Sequence, residues 1–416
     1  MFKRLHAPRH VWTHVASLGI RMHARAWFGS PEAFGGLPVV LLHGLGFSSR
    51  YMVPLGRRLA EQGYDVIAPD LPGFGRSPRP VGMKWPAGPS VSEQADHVLA
   101  WMDACAIQRA VLFGNSLGTQ VAVEVATRAP ERVERLILSG PTPDPLYRSP
   151  GKQYARVLMN MPFEAPCLNA ITQLDYASAG IPRIAQQLSR TVDDPIEDIL
   201  PAIQAPTLVI RGQHDQTLSQ PWAETFTRLL PNGQLVVIDK AAHNVHYTAA
   251  QVTARLVQCF LQGALDNHRG DEVIVPTLKR DPLAPPKPIT TAVHGVLDYA
   301  TSLLCLGLSQ TPGLGSRTRK ILAYNGASAT LYSLFTNYEL GALRKLPMTV
   351  HLNLDTMSGV KLLLASLTLL RREPLPGKLT IALLGALELL VVSATQLPMG
   401  PARLIRIQGQ NLYAET

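Results

Sequence analysis

The sequence predicts an α/β domain with a mostly parallel sheet and helices on both faces, followed by an all-α four-helix domain. Three observations carry this. Short apolar runs alternate with amphipathic stretches from about residue 11 to residue 265, the rhythm of strand–helix units in a parallel sheet. Four nearly charge-free stretches of about 18–23 residues follow residue 288, each long enough to cross a hydrocarbon core. Between them lies a polar segment, 266–288, with Pro282, Pro285, Pro286 and Pro288, which reads as a linker.

Taken in order, Trp12 to Phe28 alternates loosely and predicts two antiparallel strands, and Gly35 to Pro38 predicts a turn. Val39–Leu42, Val66–Ala68, Ala110–Phe113, Val133–Leu138, Thr207–Ile210 and Leu235–Ile238 are continuous apolar runs, as strands buried on both faces require. Ser49–Gln62, Ser92–Ala104 with Ser92 as N-cap, Leu117–Ala129 and Thr248–Leu261 have helical periodicity. The stretch from Pro141 to about Pro201, rich in Pro, Met and Gln, breaks the rhythm and reads as an insertion.

Gly114-Asn115-Ser116-Leu117-Gly118 sits between a predicted strand and a predicted helix. Small residues on either side of a serine permit the sharp strand-to-helix turn that exposes its hydroxyl, and the context makes Ser116 the candidate nucleophile. A serine needs a base, and the base needs an orienting acid. Asp215 follows the strand Thr207–Ile210, and His243 follows Leu235–Ile238, so the chain order is Ser116, Asp215, His243. His246 is the rival base and Asp144 a less favoured acid. His214 reads as a loop residue and Asp239 as a strand end. The oxyanion donors expected are the N–H of Leu117 and that of Leu45 in His43-Gly44-Leu45-Gly46. His43, Gly44, Gly114 and Gly118 support these turns, His43 as a hydrogen-bonding residue.

With His43–Gly46, the run Asp70-Leu71-Pro72-Gly73-Phe74-Gly75-Arg76-Ser77, Gly114–Gly118, Arg211–Asp215 and His243 in hand, the segment from about Val11 to Leu265 resembles the α/β-hydrolase superfamily. The resemblance implies an eight-stranded sheet and a small helical cap at about 141–203, within a domain of residues 1–265. Two departures are Ala242 where the family often has Gly, and Asn244-Val245-His246-Tyr247 where an acidic residue often follows the histidine. A serine at 116 excludes the relatives that use aspartate there. Esterases, lipases, lactonases and carbon–carbon bond hydrolases stay open.

The apolar stretches, Ile289–Leu308, Ile321–Tyr338, Met348–Leu370 and Leu379–Leu397, are expected to be transmembrane helices of a domain at 289–400, with a tail at 401–416. They are separated by Arg317-Thr318-Arg319-Lys320, Arg344-Lys345 and Arg371-Arg372. The domain reads as a duplicated helix pair. His294 and Asp298 recur as His351 and Asp355, each histidine and its aspartate on one helical face. Such pairs are costly in a bilayer and turn inward. The preferred reading is that they lock helices together; a metal or proton-handling site is the alternative. Lys361 and Glu388 are expected to pair. The region resembles small four-helix bacterial membrane proteins whose helices begin His-x-x-x-Asp.

Of the formal charge of +9, the larger share lies after Ala284, where twelve Lys and Arg face six Asp and Glu between apolar runs. That distribution suits a membrane surface better than a nucleic-acid groove, so a bilayer and not nucleic acid is the expected partner. The four cysteines show no paired spacing, and neither a disulfide framework nor a zinc site is expected. No apolar run follows Met1-Phe2-Lys3-Arg4, so no signal peptide is expected. The expectation is a multi-pass protein of the cytoplasmic membrane with its hydrolase domain on the cytoplasmic side. It would cleave an apolar carboxylic ester or acyl substrate through an acyl-enzyme, without cofactor or metal. Carbon–carbon or lactone hydrolysis is the alternative, and a non-catalytic membrane sensor or scaffold a further one. Oligomeric state is open.

Overall fold

The computed structural model describes residues 7–29, 36–83, 88–265, 273–276, 288–395, 406–407 and 410–411. The chain divides into two compact units: residues 1–160, 174–278 and 402–416, and residues 161–173 and 279–401. Most of the expected linker, and the tail apart from two short strands, lie outside the described residues.

In the first unit the strands are β1 (Arg9–Val15), β2 (Ile20–Trp27), β3 (Val39–Leu42), β4 (Val66–Pro69), β5 (Ala110–Asn115), β6 (Val133–Ser139), β7 (Thr207–Gly212), β8 (Gly233–Asp239) and β9 (Val273–Pro276). They form one nine-stranded sheet in the order β1-β2-β4-β3-β5-β6-β7-β8-β9. From β4 to β9 every neighbouring pair is parallel, while β2 is antiparallel to both β1 and β4. The expected count of eight is corrected by β9, which pairs with β8 from inside the expected linker. Its Val273-Ile274-Val275 is β-branched throughout, the composition that favours a strand even amid polar text.

The central strands, β3 to β8, are largely buried on both faces. Val40, Leu42, Leu112, Leu136, Leu138, Val209 and Val237 join one core with Val98 and Trp101 of α2 (Val91–Ala104), Val121 of α3 (Leu117–Arg128) and Phe226 of α7 (Gln220–Leu229). The alternating residues Val39, Leu41, Phe113, Leu208 and Ile210 are equally buried on the opposite side. There α1 (Val53–Glu61) packs with α9 (Ala250–Leu261), and Gly56 lies against the Trp27 indole. A short helix, α8 (Val245–Thr248), precedes α9. The N-cap of α2 is Ser90 rather than Ser92: its hydroxyl accepts from Glu93 N–H, and the Glu93 carboxylate accepts from Ser90 N–H. That reciprocal pair satisfies two helix-end donors and moves the start forward.

The insertion between β6 and β7 contains α4 (Pro150–Asn160), α5 (Pro166–Ala179) and α6 (Ile181–Val192). Its middle segment, 161–173, groups with the second unit rather than with the domain expected to own it. The cause is Asn353, whose Nδ2 donates to the backbone oxygens of Met161, Pro162 and Glu164, while Asn169 Nδ2 donates to Asn353 Oδ1.

The second unit also holds α10 (Thr291–Leu308), α11 (Ser316–Phe335), α12 (Met348–Leu367) and α13 (Leu375–Ala394), with α10 packed on α11 and α12 on α13. Two of the four, α10 and α13, are long and apolar enough to cross a membrane. Helix α11 begins five residues before the expected apolar stretch, so Arg317, Arg319 and Lys320 lie in its first turns and not in a loop. Lys and Arg are good helix formers, and Gly315 supplies the extended N-cap. The unit buries two apolar clusters, one around Leu322, Leu362, Ile381 and Leu384 and one around Leu352 and Val392, and it buries polar residues beside them while exposing many leucines. His294, Asn325, His351 and Asp355 are buried, whereas Leu303, Leu331, Leu367, Leu383 and Leu390 are exposed. Glu388 accepts a hydrogen bond from Asn325 and does not meet the expected partner Lys361, which is exposed. None of the four cysteines is in a disulfide: Cys259 and Cys305 are buried, Cys105 is half-buried and Cys167 is exposed.

Candidate active site

Strand β5 ends at Asn115, and α3 begins at Leu117. Ser116 makes the turn alone, at φ 54° and ψ −121°. A side chain held there is strained by about 1–3 kcal/mol, which the surrounding packing must offset. The packing leaves no room for larger neighbours. A Cβ on Gly114 would sit 2.3 Å from Gly118 O, and one on Gly118 2.2 Å from Leu42 O. Both glycines are therefore required by close backbone approach. Ser116 N–H donates to Ser139 O at 3.1 Å, and its Oγ lies 3.5 Å from Thr142 Oγ1.

His243 and Asp215 are brought together from the ends of β8 and β7. His243 Nδ1 lies 2.8 Å from Asp215 Oδ2. Asp215 is fully buried, which opposes its ionisation, but the His243 ring and the bonds from Thr217 hold its pKa below the ordinary carboxylate value. Its Oδ1 accepts from Thr217 N–H, Thr217 Oγ1–H and Leu218 N–H. Thr217 was not legible as a site residue, yet its Oγ1 is also 2.7 Å from His243 Nδ1. Arg211 braces the acid loop by donating to the backbone oxygens of Gln213, Asp215 and Leu218.

Gly140 joins the two halves of the site. It follows Ser139, which receives the Ser116 N–H, and it stands at φ +59°. A Cβ there would lie 2.6 Å from His243 Cε1. Only glycine meets both conditions, and no motif signalled it.

The loop after β3 is tied to the serine turn through Tyr51. Gly44 N–H donates to the Tyr51 hydroxyl, Tyr51 donates to Asn115 Oδ1 at 2.9 Å, and Asn115 Nδ2 donates to Ser139 O at 3.2 Å. Asn115 thus has a structural task. His43 is buried; its Nδ1–H donates to Gly44 O, and its Nε2 accepts from Leu71 N–H at 2.8 Å. Burial chiefly lowers its pKa, keeping it neutral for both roles. Leu45 is half-buried beside this loop, and Leu117 is the first residue of α3, where backbone N–H groups lack acceptors within the helix. Asp70 locks the neighbouring loops, accepting from Ser49 N–H and Arg76 N–H and pairing with His23 Nδ1 at 2.8 Å. Burial opposes its charge, but these bonds hold its pKa far below the usual carboxylate range. Arg50 and Ser48 both bond Asp175 of α5, fastening that end of the insertion to the loop.

The rivals are otherwise engaged. His246 is fully buried between the edges of Tyr51 and Phe113, and burial with the nearby His243 pushes its pKa down to about 3. It is a neutral packing residue. Asp144 caps a turn, accepting from Leu146 N–H and Ser219 N–H. His214 is half-buried in the acid loop, and Asp239 ends β8. In the second unit, His294, Asp298, His351 and Asp355 meet in one buried cluster.

A profile of the alpha/beta hydrolase family matches residues 39–256. The chain is similar to the 2-hydroxymuconate semialdehyde hydrolase of Pseudomonas putida, 30% identical over 252 residues, covering 55% of this chain and 88% of that protein. It is also similar to Lipase 3 of Moraxella sp. (strain TA144), 23% identical, covering 60% of this chain and 85% of the lipase. Among solved structures, a serine hydrolase of the polyaromatic hydrocarbon-degrading bacterium Cycloclasticus zankles is 22% identical and matches with a TM-score of 0.50. That match covers 62% of this chain and 100% of the other, a likeness of fold.

Proposed function

Because the chain belongs to the alpha/beta hydrolase family, we propose that it is a serine hydrolase in which Ser116 attacks, His243 moves the proton, and Asp215 holds the imidazole. The observation that carries this is the 2.8 Å bond from His243 Nδ1 to Asp215. It commits the Nδ1–H and leaves Nε2 as the base. His243 takes the Ser116 proton as Oγ adds to the substrate carbonyl, then returns it to the leaving group. The backbone N–H groups of Leu117 and Leu45 receive the oxyanion. Water, deprotonated by His243, then adds to the acyl carbonyl, and His243 returns that proton to Ser116 Oγ as the acyl C–O bond breaks. Thr217 is a positioning residue that shares the Nδ1–H. Hydrolases as relatives, together with this bonded pair, disfavour a role as a mere sensor or scaffold.

The substrate we favour is an apolar carboxylic ester or acyl compound. Lipases are among the relatives, and the insertion exposes Tyr154, Leu158, Met159, Leu174 and Ile181. The outward leucines, the buried ionisable residues His294, His351 and Asp355, and the two apolar helices α10 and α13 support a bilayer as the solvent of the second unit. We place the protein in the cytoplasmic membrane with the hydrolase unit on the cytoplasmic side. Retention in membranes after an alkaline carbonate wash supports this, and release into the supernatant refutes it.

A second reading, hydrolysis of a carbon–carbon bond in a ring-fission product, is favoured by the semialdehyde hydrolases at 30% and 28% identity. A panel of p-nitrophenyl esters of increasing chain length, assayed beside 2-hydroxymuconate semialdehyde, separates the two. Turnover that rises with acyl length, and is lost in Ser116→Ala, supports the ester reading. Rapid consumption of the semialdehyde with negligible ester turnover supports the other.

A further inference from the structure

The cluster in the second unit has a geometry that a helix lock does not need. His294 and Asp298 stand one turn apart on α10, and His351 and Asp355 one turn apart on α12. All four are buried, none more than 9% exposed. One donor atom from each lies within 4.8 Å of the other three. His294 Nε2 is 3.3 Å from Asp298 Oδ1, 3.0 Å from Asp355 Oδ2 and 3.2 Å from His351 Nε2. His351 Nε2 is 3.0 Å from Asp298 Oδ2 and 3.1 Å from Asp355 Oδ2. Ligands bound at about 2.0–2.1 Å around one tetrahedral ion stand roughly 3.3 Å apart.

The proton inventory points the same way. His294 Nδ1 is 2.7 Å from Thr395 Oγ1, and His351 Nδ1 is 2.7 Å from Thr336 Oγ1. Each threonine hydroxyl donates to the carbonyl one turn earlier, Val391 O and Tyr332 O respectively. Each threonine oxygen can therefore only accept, and each Nδ1 carries the proton. In neutral imidazoles both Nε2 lone pairs then face each other and two carboxylates, with no proton among them. If one ring is charged, its single Nε2–H must serve the other Nε2 and two carboxylates, and the buried cluster keeps a net negative charge; if both are charged, two Nε2–H groups confront each other at 3.2 Å. A divalent cation at the centre removes these conflicts, and with two aspartates it leaves the buried site neutral. Outer hydrogen bonds complete the arrangement: Tyr332 donates to Asp355 Oδ1 at 2.6 Å and Tyr338 to Asp298 Oδ2 at 3.3 Å. Metal-bound histidines and carboxylates need such outer partners to fix their orientation.

We propose that His294, Asp298, His351 and Asp355 bind one divalent transition-metal ion, of the kind that accepts imidazole and carboxylate together, such as zinc, iron(II) or manganese(II). Four protein ligands and a buried position make it a closed site that staples α10 to α12. The two His-x-x-x-Asp segments, repeated at a spacing of 57 residues, are then two halves of one metal site. This replaces the expectation of no metal and is independent of the reading of Ser116.

The test is metal content of the full chain, tag-free and purified in detergent without chelator, by plasma mass spectrometry. The proposal expects close to one equivalent of a single transition metal. After chelation, it expects uptake of cobalt(II) with visible ligand-field bands. Thr336→Val and Thr395→Val keep all four ligands and should weaken affinity by about 10–100-fold; His351→Ala should abolish binding. Because His351→Ala can misfold, the wild-type stoichiometry and the threonine variants decide. Less than a tenth of an equivalent of every transition metal, with no cobalt uptake after chelation, overturns the proposal. So does stoichiometric metal whose affinity is unchanged in both threonine variants.

Discussion

Thr217 Oγ1 and His243 Nδ1 lie 2.7 Å apart, while the Thr217 hydroxyl hydrogen is given to Asp215 Oδ1. The imidazole N–H is thus shared between a carboxylate and a hydroxyl that can only accept. Removing one acceptor leaves the other, so Thr217→Val should lower kcat by about 3–30-fold with KM nearly unchanged. Asp215→Asn, which favours the wrong tautomer, should lower kcat by on the order of 10⁴-fold. Steady-state kinetics of the two variants checks the ranking; equal losses would remove Thr217 from its positioning role.

His246 gives a pH prediction with a definite sign. Its folded pKa is depressed to about 3 from 6.5, so its stability contribution is complete above 6.5 and is lost as pH falls toward 3, where the unfolded chain binds the proton and the folded one does not. That is on the order of 4 kcal/mol over the window. Denaturant unfolding of His246→Leu should show a flatter decline between pH 6 and 3, with activity at pH 8 retained within about tenfold. A loss of activity comparable to that of His243→Ala would make His246 the base instead.

Asp70 and Asp215 act lower on the same axis. Both have depressed pKa values, so the stability they contribute is present above the ordinary carboxylate value and lost as pH falls through their folded values. Asp70→Ala leaves the buried His23 ring and the Ser49 and Arg76 N–H groups without their acceptor, a loss of about 3 kcal/mol. Chemical denaturation at pH 7 measures it. A cost under about 0.5 kcal/mol would contradict the assigned anchoring role.

Gly140→Ala should inactivate without unfolding. The added methyl would press on the His243 ring at 2.6 Å and force a positive φ on alanine. A displaced base costs about 10²-fold in rate. Circular dichroism should stay native while kcat falls; an active Gly140→Ala enzyme would show that His243 has room to spare.

Much of this was readable from the chain because its signals are local. The apolar runs of β3 to β8 announce themselves by composition, and Ser116 by the strand before it and the helix after it. What escaped reading depends on distant partners. Thr217 looks like any loop threonine until His243 folds beside it, and Gly140 looks like any strand-end glycine. Asn115 gains its task through Tyr51, 64 residues away, and Ser139. Strand β9 was hidden in polar surroundings, and Asn353 draws residues 161–173 into the helical unit by bonds to backbone oxygens, which leave no trace in sequence. The two His-x-x-x-Asp pairs were visible, but their convergence on one point was not.

The assignment of Ser116 is tested most directly by covalent labelling. The intact protein is treated with a fluorophosphonate probe, digested, and the adduct located by peptide mass spectrometry. The account predicts one labelled residue, Ser116, with labelling abolished in Ser116→Ala and slowed by orders of magnitude in His243→Ala. Undiminished labelling of Ser116→Ala, or an adduct on another residue, would contradict it.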